Sequence, residues 1–151
     1  MTFKELTAVF ALEAHNFKVL HWMAKGKQFD RIHVKLASDY YDMVSDDLDV
    51  IAEYGMRLKE GVPNYAEVIT LLKDTDCCDY EIIEGNDVDY ETFVAKADKI
   101  LGDIIKSIIC VYKRDDIQNE PINVGIKSGL EGLIDKYDLQ YRYLNERRKP
   151  D

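Results

Sequence analysis

With 151 residues, the chain is long enough for one domain with a buried core and too short for two comfortable ones. Hydrophobic residues at 46%, with eight Gly and three Pro, favour a mostly helical protein, and no apolar run approaches the roughly 20 residues a membrane span requires. A net charge of −9 argues against nucleic acid as a partner, because binding a polyanion rests on counterion release by clustered Lys and Arg.

The chain is therefore expected to leave DNA unretarded in a mobility-shift assay at physiological salt. A shift that weakens steeply with added salt would contradict this and implicate the basic tail Arg147, Arg148 and Lys149. That tail is read instead as complementing a helix C-terminus. The first residues carry Glu5 and Glu13 and no small-residue cleavage site, so a leader peptide is not expected. A cytoplasmic location, or an intravirion one for a viral source, is the default. Cys77, Cys78 and Cys110 make no disulfide framework and no zinc-site spacing, and reduced thiols are expected.

Thr2 with Glu5 three residues later has the pattern of a capping box. Behind it Phe3, Leu6, Phe10, Phe17, Leu20 and Ala24 recur at helical spacing, and Gly26 suits the left-handed position that ends a helix. A second helix is predicted over 30–59. Ile32, Leu36, Tyr40, Met43, Val44, Ile51 and Tyr54 form its inner face, and Asp39, Asp42, Asp46, Asp49 and Glu53 lie opposite on a regular helix. Asp47 points inward by the same arithmetic. Gly61 and Pro63 break the pattern, and Asn64 with Glu67 caps a short helix ending near Lys73. Residues 74–89 read as a loop crossing one end of the bundle. Asp89 caps the next helix, with Phe93, Ala97, Ile100, Leu101, Ile104, Ile108 and Val111 inside. After a short connection at 113–121, the last helix turns Ile126, Leu130, Leu133, Tyr137, Tyr141 and Leu144 inward. Four amphipathic helices with one long middle connection predict an all-α, ferritin-like four-helix bundle with a short extra helix in that connection.

The stretch LHWMAKGKQFDRIH, residues 20–33, resembles the signature of the Dps family of mini-ferritins, where LHW, Gly, Phe and a second His recur at these spacings. DVIAEYGMRLKEGVP, residues 49–63, resembles the same family's Asp-x-x-x-Glu stretch and the turn after it. GLEGLIDKYDLQYRYL, residues 129–144, resembles its last helix. The likeness runs through essentially the whole chain, read as a single ferritin-like domain over 1–151. It implies a homo-oligomeric cage of twelve subunits whose iron sites are shared across two-fold interfaces. There Fe(II) is oxidised by peroxide or oxygen before the mineral is stored.

The family takes its iron ligands from two histidines twelve apart, an acid four residues after the second, and a later Asp-x-x-x-Glu. By that resemblance the metal ligands here are His21, His33, Asp49 and Glu53. The chain departs twice: Ala37 stands four after His33, and Asp49 lies one residue further along than in the family. On a regular helix, one extra residue turns a side chain by about 100° and sends Asp49 and Glu53 to solvent. A single-turn π-bulge between His33 and Asp49 restores the phase, and both arrangements stay open at this level. Glu13 and Asp47, carboxylates on apolar faces, must be paired or metal-bound. They either join His21 and His33 in a rearranged site or contact Lys or Tyr on other helices. Trp22 reads as a packed aromatic or an interface anchor. His15, on the outer side of the first helix, has no assigned role. No organic cofactor and no catalytic residue beyond the metal ligands is expected. Ferroxidase activity is left open by the missing acid, and the alternative is a non-catalytic ferritin-like structural or assembly protein.

Overall fold

Thr2 starts the first helix as its spacing predicts. Its hydroxyl accepts from Glu5 N, and the Glu5 carboxylate accepts in return from Thr2 N. In a computed structural model that describes residues 1–146, this helix, α1, spans Phe3–Met23. The basic residues Arg147, Arg148 and Lys149 lie outside the described residues. A π-helical segment, Arg31–Ala37, runs directly into α2, Ser38–Arg57. The short α3, Glu67–Lys73, is preceded by reciprocal bonds between Asn64 and Glu67. Asp89 accepts from Thr92 N to cap α4, Tyr90–Tyr112, and α6 spans Val124–Glu146. Between these last two the structure has a further helical turn, α5, Asp115–Asn119, where the sequence reads only as a connection.

The four long helices close around one apolar core, α1 packing on α2 and α4, and α4 on α6. Phe3, Phe10, Phe17, Leu20, Ile32, Tyr40, Ile51, Phe93, Leu101 and Tyr137 are all but fully buried within it. Tyr141 and Met43, expected inside, pack only partly buried at its margin. The acidic residues Asp39, Asp42, Asp46, Asp49 and Glu53 are exposed, as a solvated face requires. Among the described residues, no helix is long and apolar enough to cross a membrane.

Residues 74–89 do more than cross one end of the bundle. They run its length as a strap. Lys99 Nζ donates to Asp79 O at 2.8 Å, and the Asn16 amide donates to Glu81 O at 2.9 Å. Asn16 Oδ1 accepts from Ile83 N at 3.1 Å, and Val88 pairs with Met23 and Lys25 at the far end. A polar segment without secondary structure is held here by side chains that satisfy its backbone groups. Cys77 and Cys110, expected as free thiols, form a disulfide that fastens the strap to α4, while Cys78 is free. Their separation by 33 positions hides the pairing from the sequence.

Candidate metal centre

His21 sits in the last turn of α1, where backbone carbonyls have no partner within the helix. The His33 ring caps one of them: its Nδ1 lies 2.9 Å from His21 O. The arrangement is reciprocal, because His21 Nδ1 lies 2.7 Å from His33 O. A carbonyl only accepts, so both rings carry their proton on Nδ1. In a neutral ring with its proton on Nδ1, Nε2 carries the lone pair that a metal ligand needs. The rings stack at 3.7 Å between centroids, and Phe29 stacks on the outer face of His33 at 4.8 Å. Gly26, at φ +88°, lets the chain reverse between the two helices to make this pairing.

The π-helical segment changes which residue accompanies the histidines. In a π turn the hydrogen-bond partner lies five residues on rather than four, so one residue is absorbed without advancing the helix face. Leu36 and Ala37, adjacent in sequence, are both buried, which marks the change of register. Ala37 therefore faces the core. The residue one turn beyond His33 is Ser38, whose hydroxyl donates to His33 O at 3.1 Å and lies 3.2 Å from His21 Nδ1. One turn beyond His33 on the histidine face therefore stands Ser38 rather than Ala37.

The same insertion acts downstream. Without it Asp49 would stand about 160° around the helix from His33, and with one residue absorbed it stands about 60° away. Counted from Ser38, Asp49 is three full turns on, and Glu53 follows in the next turn, so the three share one stripe. Within one chain that stripe carries the carboxylates far from the histidines: sixteen residues of helix span about 24 Å. Among the described residues, no group of three or more His, Cys, Asp or Glu side chains comes close enough to hold a metal ion. A single copy brings His21 and His33 together and leaves Asp49 and Glu53 apart from them.

Glu13 and Asp47 have partners elsewhere. Asp47 accepts from Lys136 Nζ at 2.7 Å and from the buried Tyr137 hydroxyl at 2.8 Å, an interhelix contact between α2 and α6. Burial, and Asp47 beside it, push the Tyr137 phenol well above its usual range. Glu13 faces α4 and the strap. It accepts from the Asn16 amide at 2.7 Å, with Lys99, Asp103 and Glu81 as its charged surroundings. Burial pushes its carboxyl up to about 8, against the opposing effect of the Asn16 bond, which favours the protonated form at neutral pH. His15 is exposed and lies edge-on to Trp22.

No family model and no curated protein sequence matches the chain. Its fold is that of the ferritin-like helical bundle found in Dps structures. It superposes on Dps from Thermosynechococcus elongatus with a TM-score of 0.77 at 20% identity, covering 99% of this chain and 88% of that one. Helicobacter cinaedi CAIP gives a TM-score of 0.77 at 16% identity, over 96% and 95% of the two chains. The DPS protein from Vibrio cholerae O1 is described as a member of a broad superfamily of ferritin-like diiron-carboxylate proteins. It gives a TM-score of 0.76 at 17% identity, over 97% and 86%.

Proposed function

We propose that this chain is a Dps-like iron-binding and iron-storage protein that takes Fe(II) as its substrate at a site between two copies. His21 and His33 of one copy face Asp49 and Glu53 of another, and dioxygen or peroxide is the oxidant. The observation that carries this reading is the reciprocal histidine clasp, which spends both Nδ1 atoms on backbone carbonyls and leaves both Nε2 atoms free. Imidazole nitrogen with carboxylate oxygen suits Fe(II). The π-helical register supports the choice of Asp49 and Glu53, because it puts them on the stripe of Ser38. Trp22 is 63% exposed and Val34 51% exposed beside the histidines, apolar area of the kind a second copy would cover. The resemblance adds a cage of twelve subunits and storage of the oxidised mineral inside it.

Anaerobic Fe(II) titration calorimetry tests the site. Wild type is expected to give binding heat, His33→Ala to abolish it, and Asp49→Asn to weaken it by on the order of tenfold or more. No heat from the wild type would leave a ferritin-like scaffold that has lost its iron chemistry. Light scattering tests the assembly, since a monomer at micromolar concentration is incompatible with a site shared between copies.

A further inference from the structure

All three cysteines of the chain converge on one place, away from the histidines. The Cys77–Cys110 disulfide joins the start of the strap to the last turns of α4, and Cys78 Sγ stands 4.0 Å from Cys77 Sγ. The disulfide lines an open cavity of about 430 Å³ together with Met1, Glu5, Asp74, Thr75 and Asp76. Cys78 Sγ also lies 3.8 Å from Asp103 O and lines a second cavity with Tyr80 and Leu72. A disulfide that solvent can reach is of the kind that exchanges with thiols rather than a buried structural one.

We propose that Cys77–Cys110 is a reversible thiol–disulfide exchange site for small uncharged thiols, and that opening it frees residues 75–78 of the strap. A thiolate attacks one sulfur, the S–S bond breaks, and the other cysteine leaves as a thiolate and takes up a proton. A second thiolate then attacks the incoming sulfur of the mixed disulfide and releases the first cysteine. Two thiols are oxidised to one small disulfide, and the cystine gains two electrons and two protons. Glu5, Asp74 and Asp76 among the lining residues make the surroundings of the disulfide acidic and disfavour anionic thiols such as glutathione. Burial and the Asp103 charge push the Cys78 thiol up, which disfavours its attack on the neighbouring Cys77 sulfur. Beyond residue 78 the strap stays fastened by Lys99 on Asp79, Tyr80 on Ser107, Lys96 on Glu81 and Asn16 on Glu81 and Ile83, so the opening is local.

The intact protein tests this by thiol counting and by hydrogen exchange, with readouts that involve no iron. Air-equilibrated protein is expected to show one alkylatable thiol per chain, at Cys78, and three after dithiothreitol. Reduction should speed amide exchange across 75–78, leave the amides of Ile83 and Val88 unchanged, and lower the melting temperature by on the order of 10 °C. Cys110→Ser should reproduce the reduced exchange pattern, and Cys78→Ser the oxidised one. Relative to an exposed reference disulfide, glutathione should react on the order of tenfold slower than dithiothreitol at low ionic strength, with the gap closing in salt. Three free thiols in air-equilibrated protein would overturn the proposal. So would unchanged exchange at 75–78 on reduction, or glutathione showing no such lag.

Discussion

Ser38→Asp is expected to strengthen Fe(II) binding by on the order of tenfold or more and to add a second ion per site, whereas Ala37→Asp should destabilise the fold. The contrast follows from the register. Two uncharged imidazoles with Asp49 and Glu53 supply two negative charges, enough to balance one Fe(II). Ser38 adds a neutral hydroxyl beside the histidines, and a carboxylate at that position would supply the charge a second ion needs. Ala37, by contrast, is 0% exposed. A carboxylate there is buried without a partner and costs about 3–5 kcal/mol, or on the order of 10 °C in melting temperature. Calorimetric titration gives stoichiometry and affinity for the first variant, and thermal unfolding reads the second. If Ala37→Asp folds normally and gains iron while Ser38→Asp does not, the helix has no π insertion.

Glu13→Gln is expected to stabilise the protein at pH 8 by a few kcal/mol and to change little at pH 5. The folded carboxyl is raised to about 8 from an ordinary value of 4.5. Between those values the folded chain holds a proton that the unfolded chain has released, so stability falls as pH rises. The slope approaches about 1.4 kcal/mol per pH unit inside this window and flattens above it. Below pH 4.5 both states are protonated and the contribution is fully present. Glutamine cannot ionise and retains the acceptor for Asn16, so the variant should lose the slope. Urea denaturation of both proteins across pH 5–9 measures it. Parallel pH profiles would mean that Glu13 is already charged in the folded state.

The long helices were legible because each is amphipathic and long enough to average out local irregularity, and their caps at Thr2 and Asp89 lie where side-chain chemistry puts them. His21 and His33 were legible as a pair by resemblance. Their mutual capping was not, since it depends on the chain reversal at Gly26 rather than on spacing. The π insertion could be posed as an alternative but not chosen, because an apolar inner face fits either register until burial of adjacent Leu36 and Ala37 is seen. Ser38 was missed for the same reason. The disulfide and the strap along α1 and α4 escaped because contacts between residues far apart in sequence leave no periodic signal.

The central claim is that one iron site is built from two copies, with histidines from one and carboxylates from the other. An iron anomalous-difference map from crystals soaked anaerobically in Fe(II) tests it most directly. The predicted result is a peak within bonding distance, about 2.0–2.3 Å, of the Nε2 atoms of His21 and His33 and the carboxylates of Asp49 and Glu53 from a neighbouring copy. Iron bound only at other acidic residues, with nothing at the two histidines, would contradict the account.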